Sequence, residues 1–240
     1  MARAFLRRFP ELTAVQKARP ATLRTFYHRQ HARSAERIAA RLALVAKARA
    51  LITDRAVIEP AMLEVARLVD LLEVNQRHIA VLEARIAAAF TAHPNADLFA
   101  ALPGAGPVFA PRLLVAFGDQ VERYPTADSL QKCSGIAPVK EQSGQKRWIH
   151  WRWGAPTFLR QTFVEWAGQT VLQCDWAKAY YQQQRLAGKA HHAVLRALAF
   201  KWIRILWRCW QDQKPYDDQQ YCAALRRRGS TLLPALQKTG

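Results

Sequence analysis

Cysteine is scarce in this chain, and its four cysteines are far apart. Cys133, Cys174, Cys209 and Cys222 form no Cys-x-x-Cys pair, and no histidine follows at zinc-finger spacing. Disulfide frameworks and structural zinc sites need such clustering. The sequence therefore argues against both and favours a reducing compartment.

Long apolar runs are also missing. A membrane-spanning helix needs about 20 apolar residues, and the closest segment, from Ala193 to Trp210, is interrupted by Arg196, Lys201, Arg204 and Arg208. The N-terminus lacks the apolar core and cleavage site of a signal peptide. We therefore expect neither export nor a membrane span, and a cytoplasmic, nucleoid-associated location.

Acidic residues are few relative to basic ones. The chain has 36 Lys and Arg against 18 Asp and Glu, a net charge of +18 and a pI of about 10.5. Residues 1–50 contain twelve of the basic residues and two acidic ones, so they supply +10 of that charge. This uneven charge favours a polyanionic partner over charge that serves only solubility.

The first third of the chain predicts a basic arm and two helices. Residues 1–33 are basic, have little periodicity and predict short helices or an arm. An amphipathic helix is predicted over 34–52, and Pro60 suits the first turn of a second helix that runs to about Ala92. The apolar stripe of the first helix is Ile38, Leu42, Val45 and Ile52.

The second helix carries a heptad pattern with steps of three and four. Its members are Val65, Leu68, Leu72, Asn75, Ile79, Leu82, Ile86 and Ala89. The pattern predicts a coiled coil, within one chain or between chains, over an ordinary face of a bundle. We predict a linker and dimerisation segment at 34–93, with oligomer contacts through Val65, Leu68, Leu72, Ile79, Leu82 and Ile86.

The remainder predicts a compact domain at 97–229, followed by a loose tail at 230–240. Helices are predicted at 108–117, 127–133, 156–174, 177–187, 190–211 and 216–228. The fold class is therefore mainly all-α: a helical coiled-coil hairpin followed by a compact helical domain.

A glycine-containing turn at residues 102–107 opens this domain. It has the form of a helix-hairpin-helix turn, in which Gly104 and Gly106 allow the tight bend and direct N–H groups at a phosphate. Such binding would be independent of base sequence. The alternative is a plain turn between helices without a ligand.

Ser143 lies in a polar stretch, between Gln142 and Gly144. A serine hydroxyl can attack a phosphodiester and form a phosphoserine linkage that a 3′-hydroxyl later resolves. Cations would have to stabilise the transition state, and the candidates are Lys140, Lys146, Arg147 and Arg152. By itself, a serine before a glycine is more often a turn residue.

Tryptophans alternate with cations after Ser143. Trp148, Trp151 and Trp153 interleave with Arg147, His150 and Arg152, a pattern that can stack bases and hold phosphates, or place an indole in the core. Lys201, Arg204 and Arg208 share a face of a late helix that is either solvated or a second contact surface. The predicted nucleic-acid-binding residues are Gly104, Gly106, Lys140, Lys146, Arg147, Trp148, His150, Arg152, Lys201, Arg204 and Arg208.

The order of these motifs resembles insertion-sequence transposases of the "IS one-ten" type, also called DEDD transposases or bridge-RNA-guided recombinases. The resemblance covers residues 97–229. Its motifs are Pro103-Gly104-Ala105-Gly106-Pro107, Gly118-Asp119, Tyr124-Pro125-Thr126-Ala127, Gly135-Ile136-Ala137-Pro138, Ser143-Gly144, Gly154, Phe158-Leu159-Arg160, Ala179-Tyr180-Tyr181, Gly188-Lys189, Ala197-Leu198-Ala199-Phe200-Lys201, Tyr216-Asp217 and Tyr221.

The resemblance implies that Ser143 is the nucleophile of DNA strand exchange. It also implies a RuvC-like domain with four magnesium-binding carboxylates, which we do not find in this chain, and a structured guide RNA as a partner. Mg²⁺ is expected only with that carboxylate domain. We expect a DNA-binding transposase C-terminal domain of a mobile element, incomplete by itself. The alternatives are a non-catalytic DNA- or RNA-binding or oligomerisation module and a helical scaffold unrelated to nucleic acid.

Overall fold

The computed structural model describes residues 1–150, 152–230 and 232 and is mainly α-helical, as predicted. Trp151 and almost all of the predicted tail lie outside the described residues. The helices are α1 (Ala2–Arg8), α2 (Leu12–Lys17), α3 (Pro20–Arg29), α4 (Ala35–Lys47), α5 (Arg55–Thr91), α6 (Ala96–Ala100), α7 (Gly106–Phe117), α8 (Ala127–Cys133), α9 (Thr157–Gln173), α10 (Asp175–Leu186), α11 (His191–Gln211) and α12 (Asp218–Arg227). The strands are β1 (Val139–Ser143) and β2 (Lys146–His150).

The chain divides into two compact units, Met1–Ala84 and Arg85–Gly240, here called unit 1 and unit 2. In unit 1, the basic N-terminal segment folds into α1, α2 and α3, which pack with α4 around a small aromatic core. The buried residues of that core are Phe9, Val15, Leu23, Phe26, Tyr27 and Ile38. Short helices are therefore the alternative that the structure adopts for residues 1–33.

Helix α5 starts earlier than the sequence predicts. It begins at Arg55, and Pro60 lies inside it. The Asp54 Oδ1 atom accepts a hydrogen bond from the Ala56 backbone N–H at 2.9 Å, so Asp54 caps the helix before the proline is reached. Helix α4 ends at Lys47, five residues before the predicted Ile52. The predicted start at Pro60 is wrong because Asp54 provides an earlier cap.

The heptad side chains of α5 are largely uncovered. Leu68, Leu72, Ile79, Leu82 and Ile86 are 45% to 56% exposed. The described part of the chain therefore does not bury this seam with a helix of its own. Pairing of this seam with a helix of another chain stays a prediction.

Unit 2 is built around α11, which packs against α8, α9 and α10. Trp202, Ile203, Leu206 and Trp210 of this helix are fully buried. The exposed positions of α11 include basic residues. In the part of the chain that the structure describes, no helix has the length and hydropathy of a membrane span.

Three indoles join the helices of unit 2. The Trp166 and Trp202 rings lie 5.0 Å apart between centroids, and the Trp176 and Trp202 rings 4.7 Å. The Trp202 Nε1–H donates to Thr170 Oγ1 at 2.8 Å, and the Trp176 Nε1–H donates to Tyr216 Oη at 2.8 Å. Each bond satisfies the N–H of an indole in the core and fixes how two elements pack.

A two-stranded antiparallel sheet interrupts the helices, and the sequence did not predict it. Val139 pairs with His150, and Ser143 pairs with Lys146. Gly144, in the connecting turn, has a φ of +58°, which glycine adopts without strain. The segment lacks the apolar–polar alternation of a half-buried strand because nearly every residue in it is exposed.

We expect Thr170→Val to destabilise unit 2 by about 1–3 kcal/mol, because valine keeps the shape but leaves the buried Trp202 N–H without an acceptor. The measurement is denaturant unfolding followed by tryptophan fluorescence, which reports on unit 2 because all the tryptophans lie beyond Ala84. Thr170→Ser keeps the hydroxyl and is the control. A valine variant as stable as the serine variant would show that this hydrogen bond contributes nothing.

Candidate functional site

Ser143 is the last residue of β1 and lies directly opposite Lys146 across the sheet. Both side chains are exposed. Gly144 and Gln145 connect the strands, and the Gln142 side-chain Nε2 donates to the Gly144 carbonyl at 3.2 Å. The hydroxyl is therefore held beside a tight turn, where a large substrate can reach it.

Strand pairing divides the predicted cations between two faces of the hairpin. Successive residues of a strand point to opposite faces, and paired residues share a face. Ser143 therefore shares its face with Lys146, Glu141, Trp148 and His150. The second face carries Lys140, Gln142, Arg147 and Ile149. Of the lysines and arginines of the two strands, Lys146 is on the serine face, and Lys140 and Arg147 are on the other.

Glu141 organises the serine face. Its Oε2 atom accepts a hydrogen bond from Trp148 Nε1 at 2.8 Å, and its Oε1 atom lies 2.7 Å from His150 Nε2. The hydrogen bonds from His150 and then from Trp148 lower the pKa of this carboxyl. Trp148 and His150, both predicted to bind nucleic acid, are thus held by a carboxylate.

The base of the hairpin is anchored by small residues. Gly135 has a φ of +71°, and a Cβ atom there would lie 2.5 Å from the Cβ of buried Ala155. Beside this contact, Arg152 Nε is buried and has no hydrogen-bond partner among the described residues. Trp153 is 80% exposed. Glycine at 135 therefore allows the two ends of the hairpin to meet.

The glycines of the 102–107 turn have different surroundings. Gly104, with a φ of +68°, faces Gln169 of α9, whose backbone carbon would lie 3.1 Å from an added Cβ. Gly106 begins α7, has a φ of +49°, and has no atom within 4 Å of an added Cβ. The Trp166 Nε1–H also donates to the Pro103 carbonyl at 3.0 Å. Gly104 therefore serves packing on α9, and Gly106 is the accessible member of the predicted pair.

The three cations predicted on α11 also differ. The Lys201 Nζ atom lies 4.9 Å from the centroid of the Tyr180 ring, and burial, followed by repulsion from Arg204, lowers the pKa of this lysine. Arg208 Nε is 2.7 Å from Asp212 Oδ2. Arg204 is exposed. These positions do not form one uniform cationic face.

A magnesium site would need clustered oxygen ligands. Among residues 1–150, 152–230 and 232, no group of three or more His, Cys, Asp and Glu side chains could hold a metal ion. The described residues therefore do not fit the carboxylate site that the sequence resemblance implies.

The structure adds Glu141 to the site, which sequence reasoning missed. Recognising the hairpin would have found it, because Glu141 then falls opposite Trp148. The available signal was Ser143-Gly144-Gln145-Lys146, a two-residue loop with glycine at its first position, a sequence typical of hairpins.

Comparison with known proteins gives a consistent family. Residues 96–182 match the family described as Transposase IS116/IS110/IS902. The chain is 27% identical over 216 residues to the insertion element IS900 uncharacterized 42 kDa protein of Mycobacterium paratuberculosis, covering 88% of this chain and 53% of that protein. It is 34% identical over 143 residues to the insertion element IS110 uncharacterized 43.6 kDa protein of Streptomyces coelicolor, covering 58% of this chain and 34% of that protein.

A third relative is the insertion element IS116 uncharacterized 44.8 kDa protein of Streptomyces clavuligerus, 27% identical over 126 residues. That match covers 52% of this chain and 31% of the relative. The chain thus spans about half or less of the length of these relatives. The matched segment includes the 102–107 turn, Ser143 and the whole hairpin. The similarity to IS116/IS110/IS902 transposases is therefore carried by residues 96–182.

Proposed function

We propose that this chain is the serine-bearing part of a DNA transposase, in which Ser143 is the nucleophile of strand exchange. The observation that carries the proposal is the position of Ser143: exposed, beside a tight turn, opposite Lys146 and inside the family segment. A buried serine, or one among acidic side chains alone, would not suit attack on a phosphodiester.

In the proposed step, Ser143 Oγ attacks a backbone phosphorus atom. The Oγ–P bond forms as the bond from phosphorus to the 3′ oxygen breaks; Oγ loses its proton, and the departing 3′ oxygen takes one up. The bond energy is kept in a phosphoserine linkage. A 3′-hydroxyl of another strand then attacks the same phosphorus and releases the serine.

The two faces of the hairpin then have separate roles. Lys146 lies next to Ser143 and can stabilise the charge that develops on the phosphoryl oxygens. Lys140 and Arg147 share the other face, away from the reacting atoms, and can hold neighbouring phosphates. Gly106 at the start of α7, and Arg204 on α11, are further proposed contacts.

We propose that catalysis also needs carboxylates from outside the described residues. A RuvC-like domain or a second polypeptide would supply them and bind Mg²⁺. The second candidate function is a module that binds DNA or RNA without cutting it, and the lack of a metal-ligand group among the described residues favours this candidate for the chain alone. The basic surfaces also suit a structured guide RNA.

We also propose that two or more copies associate through the α5 seam. Leu72, Ile79 and Leu82 are each more than half exposed. Exposed apolar residues in a heptad pattern are typical of helices that pair with another chain. Asn75 would set the register of that pairing.

Ser143→Ala should abolish a covalent protein–DNA adduct, because alanine has no hydroxyl to bond to phosphorus. The assay combines the chain with element ends, partner RNA and a carboxylate-bearing partner, and detects the adduct after denaturing electrophoresis. Ile149→Ala, which truncates an exposed side chain on the other face, should retain the adduct. An adduct that persists in Ser143→Ala would remove Ser143 from the mechanism.

Lys146→Gln should slow adduct formation by about 10²-fold and leave DNA affinity nearly unchanged. Arg147→Gln should instead weaken DNA binding and reduce its salt dependence. Adduct rates and binding isotherms at several salt concentrations separate the two effects. Equal effects of the two variants on both quantities would contradict the division between faces.

Leu72→Ser/Ile79→Ser should shift the chain toward its monomer mass of 27.3 kDa, because serine removes apolar surface from the seam. Analytical ultracentrifugation measures the change. Leu63→Ser/Val81→Ser replaces two exposed residues of α5 that lie off the heptad positions and should leave the mass unchanged. Wild-type protein that is already monomeric at high concentration would refute association through α5.

A further inference from the structure

The ion pairs of unit 1 are concentrated on α5. None of them includes a side chain of α4. Three arginines take most of the acidic side chains of this unit. The pairs are Arg7 with Asp70 at 2.5 Å and Glu73 at 2.8 Å, Arg55 with Glu11 at 2.8 Å and Glu59 at 3.1 Å, and Arg67 with Glu64 at 2.6 Å. The excess positive charge of residues 1–50 therefore lies on other elements.

Arg33, Arg37 and Arg41 follow one another at intervals of four residues. Arg37 and Arg41 lie along one side of α4, about 6 Å apart along its axis, and Arg33 comes just before the Ser34 cap of that helix. No carboxylate lies within 4 Å of these three side chains in the described part of the chain. An anion bound beside these arginines would relieve their mutual repulsion.

The three arginines line one cavity of about 290 Å³, together with Gln30, His31 and Ser34. We call it the α3–α4 cavity. Glu36, the one acidic residue of α4, does not line it. The cavity therefore offers guanidinium and amide N–H donors without an acidic side chain.

The backbone that forms the α3–α4 cavity is fixed before any ligand arrives. His31 adopts a φ of +60°, and the Ala32 N–H donates to the Tyr27 carbonyl at 3.0 Å. Ser34 caps α4, accepting a hydrogen bond from the Arg37 N–H at 3.2 Å. The Arg41 guanidinium lies over the Tyr27 ring, 5.4 Å from its centroid. Such preorganisation lowers the ordering cost of binding.

We propose that the α3–α4 cavity binds a backbone phosphate of duplex DNA, as a contact site in unit 1 separate from the Ser143 hairpin. Guanidinium groups match phosphate oxygens with paired N–H donors. The row of arginines extends the contact along a strand, and binding there would not depend on base sequence. The choice of DNA as the ligand rests on the proposed function. The inference that the cavity binds an anion rests on its lining residues alone.

The test compares two charge-matched double variants of the full chain on a short DNA duplex of arbitrary sequence. Arg33→Gln/Arg37→Gln removes two donors of the cavity. Arg24→Gln/Arg29→Gln removes the same charge from exposed positions on α3 that do not line it. We expect the cavity variant to bind more weakly and to lower the slope of log affinity against log salt by about 2, since each neutralised phosphate contributes about 0.9.

The control variant should leave that slope nearly unchanged. Equal losses in both variants would mean that net charge alone matters and would overturn the proposal. A loss confined to duplex RNA, measured in parallel, would overturn DNA as the ligand. Circular dichroism checks that both variants fold. Because Ser143→Ala removes the adduct and not this binding, failure of the nucleophile proposal is distinguishable from failure here.

Discussion

The packing of Trp166, Trp176 and Trp202 is the contact on which the rest of unit 2 depends. The three indoles come from α9, α10 and α11 and meet with centroid distances of 5.0 Å and 4.7 Å around Trp202. Each indole N–H donates to a different partner, at Pro103, Tyr216 or Thr170. The cluster thereby fixes the 102–107 turn and the segment before α12, as well as the three helices. Aromatic burial supplies stability, and the hydrogen bonds specify the arrangement.

The hairpin depends on this core through its base. The buried side chain of Gln131 donates from Nε2 to the Phe200 carbonyl of α11 at 2.8 Å, and the backbone carbonyl of Gln131 accepts from the Ala137 N–H at 2.9 Å. Gly135 then lets Ala155 approach. Beyond this base, the strands are exposed along nearly their whole length. A fixed base with an accessible tip leaves Ser143 exposed at the end of the hairpin.

Helical periodicity made the fold of unit 2 largely predictable from sequence. The predicted helices at 127–133, 156–174 and 190–211 agree with α8, α9 and α11 to within a residue at either end. In α11 the buried apolar residues repeat at helical spacing, because one side of this helix packs against the core. The hairpin has no such signal, since it buries almost nothing. The start of α5 was mispredicted for another reason: Pro60 is typical of a first helical turn, but Asp54 caps the helix earlier.

The candidate site was predictable only in part, because its geometry arises from pairing across the sheet. The sequence places Lys140, Lys146 and Arg147 near Ser143, and their distribution over two faces follows only once Ser143 is paired with Lys146. The role of Glu141 is hidden in the same way, since its partners Trp148 and His150 come from the second strand. Pairing across the sheet therefore decides whether two side chains a few residues apart are neighbours on one face or lie on opposite faces.

The carboxylate of Glu141 also constrains how DNA would meet the hairpin under the proposed function. Its pKa is lowered by the hydrogen bonds from His150 and Trp148, so it remains negatively charged to more acidic pH than an ordinary glutamate. That charge opposes phosphate on the serine face, and Lys146 offsets it only near the turn. The other face carries Lys140 and Arg147 without an acidic residue. A strand held on that face can reach Ser143 by passing around the turn, where Gly144 has no side chain.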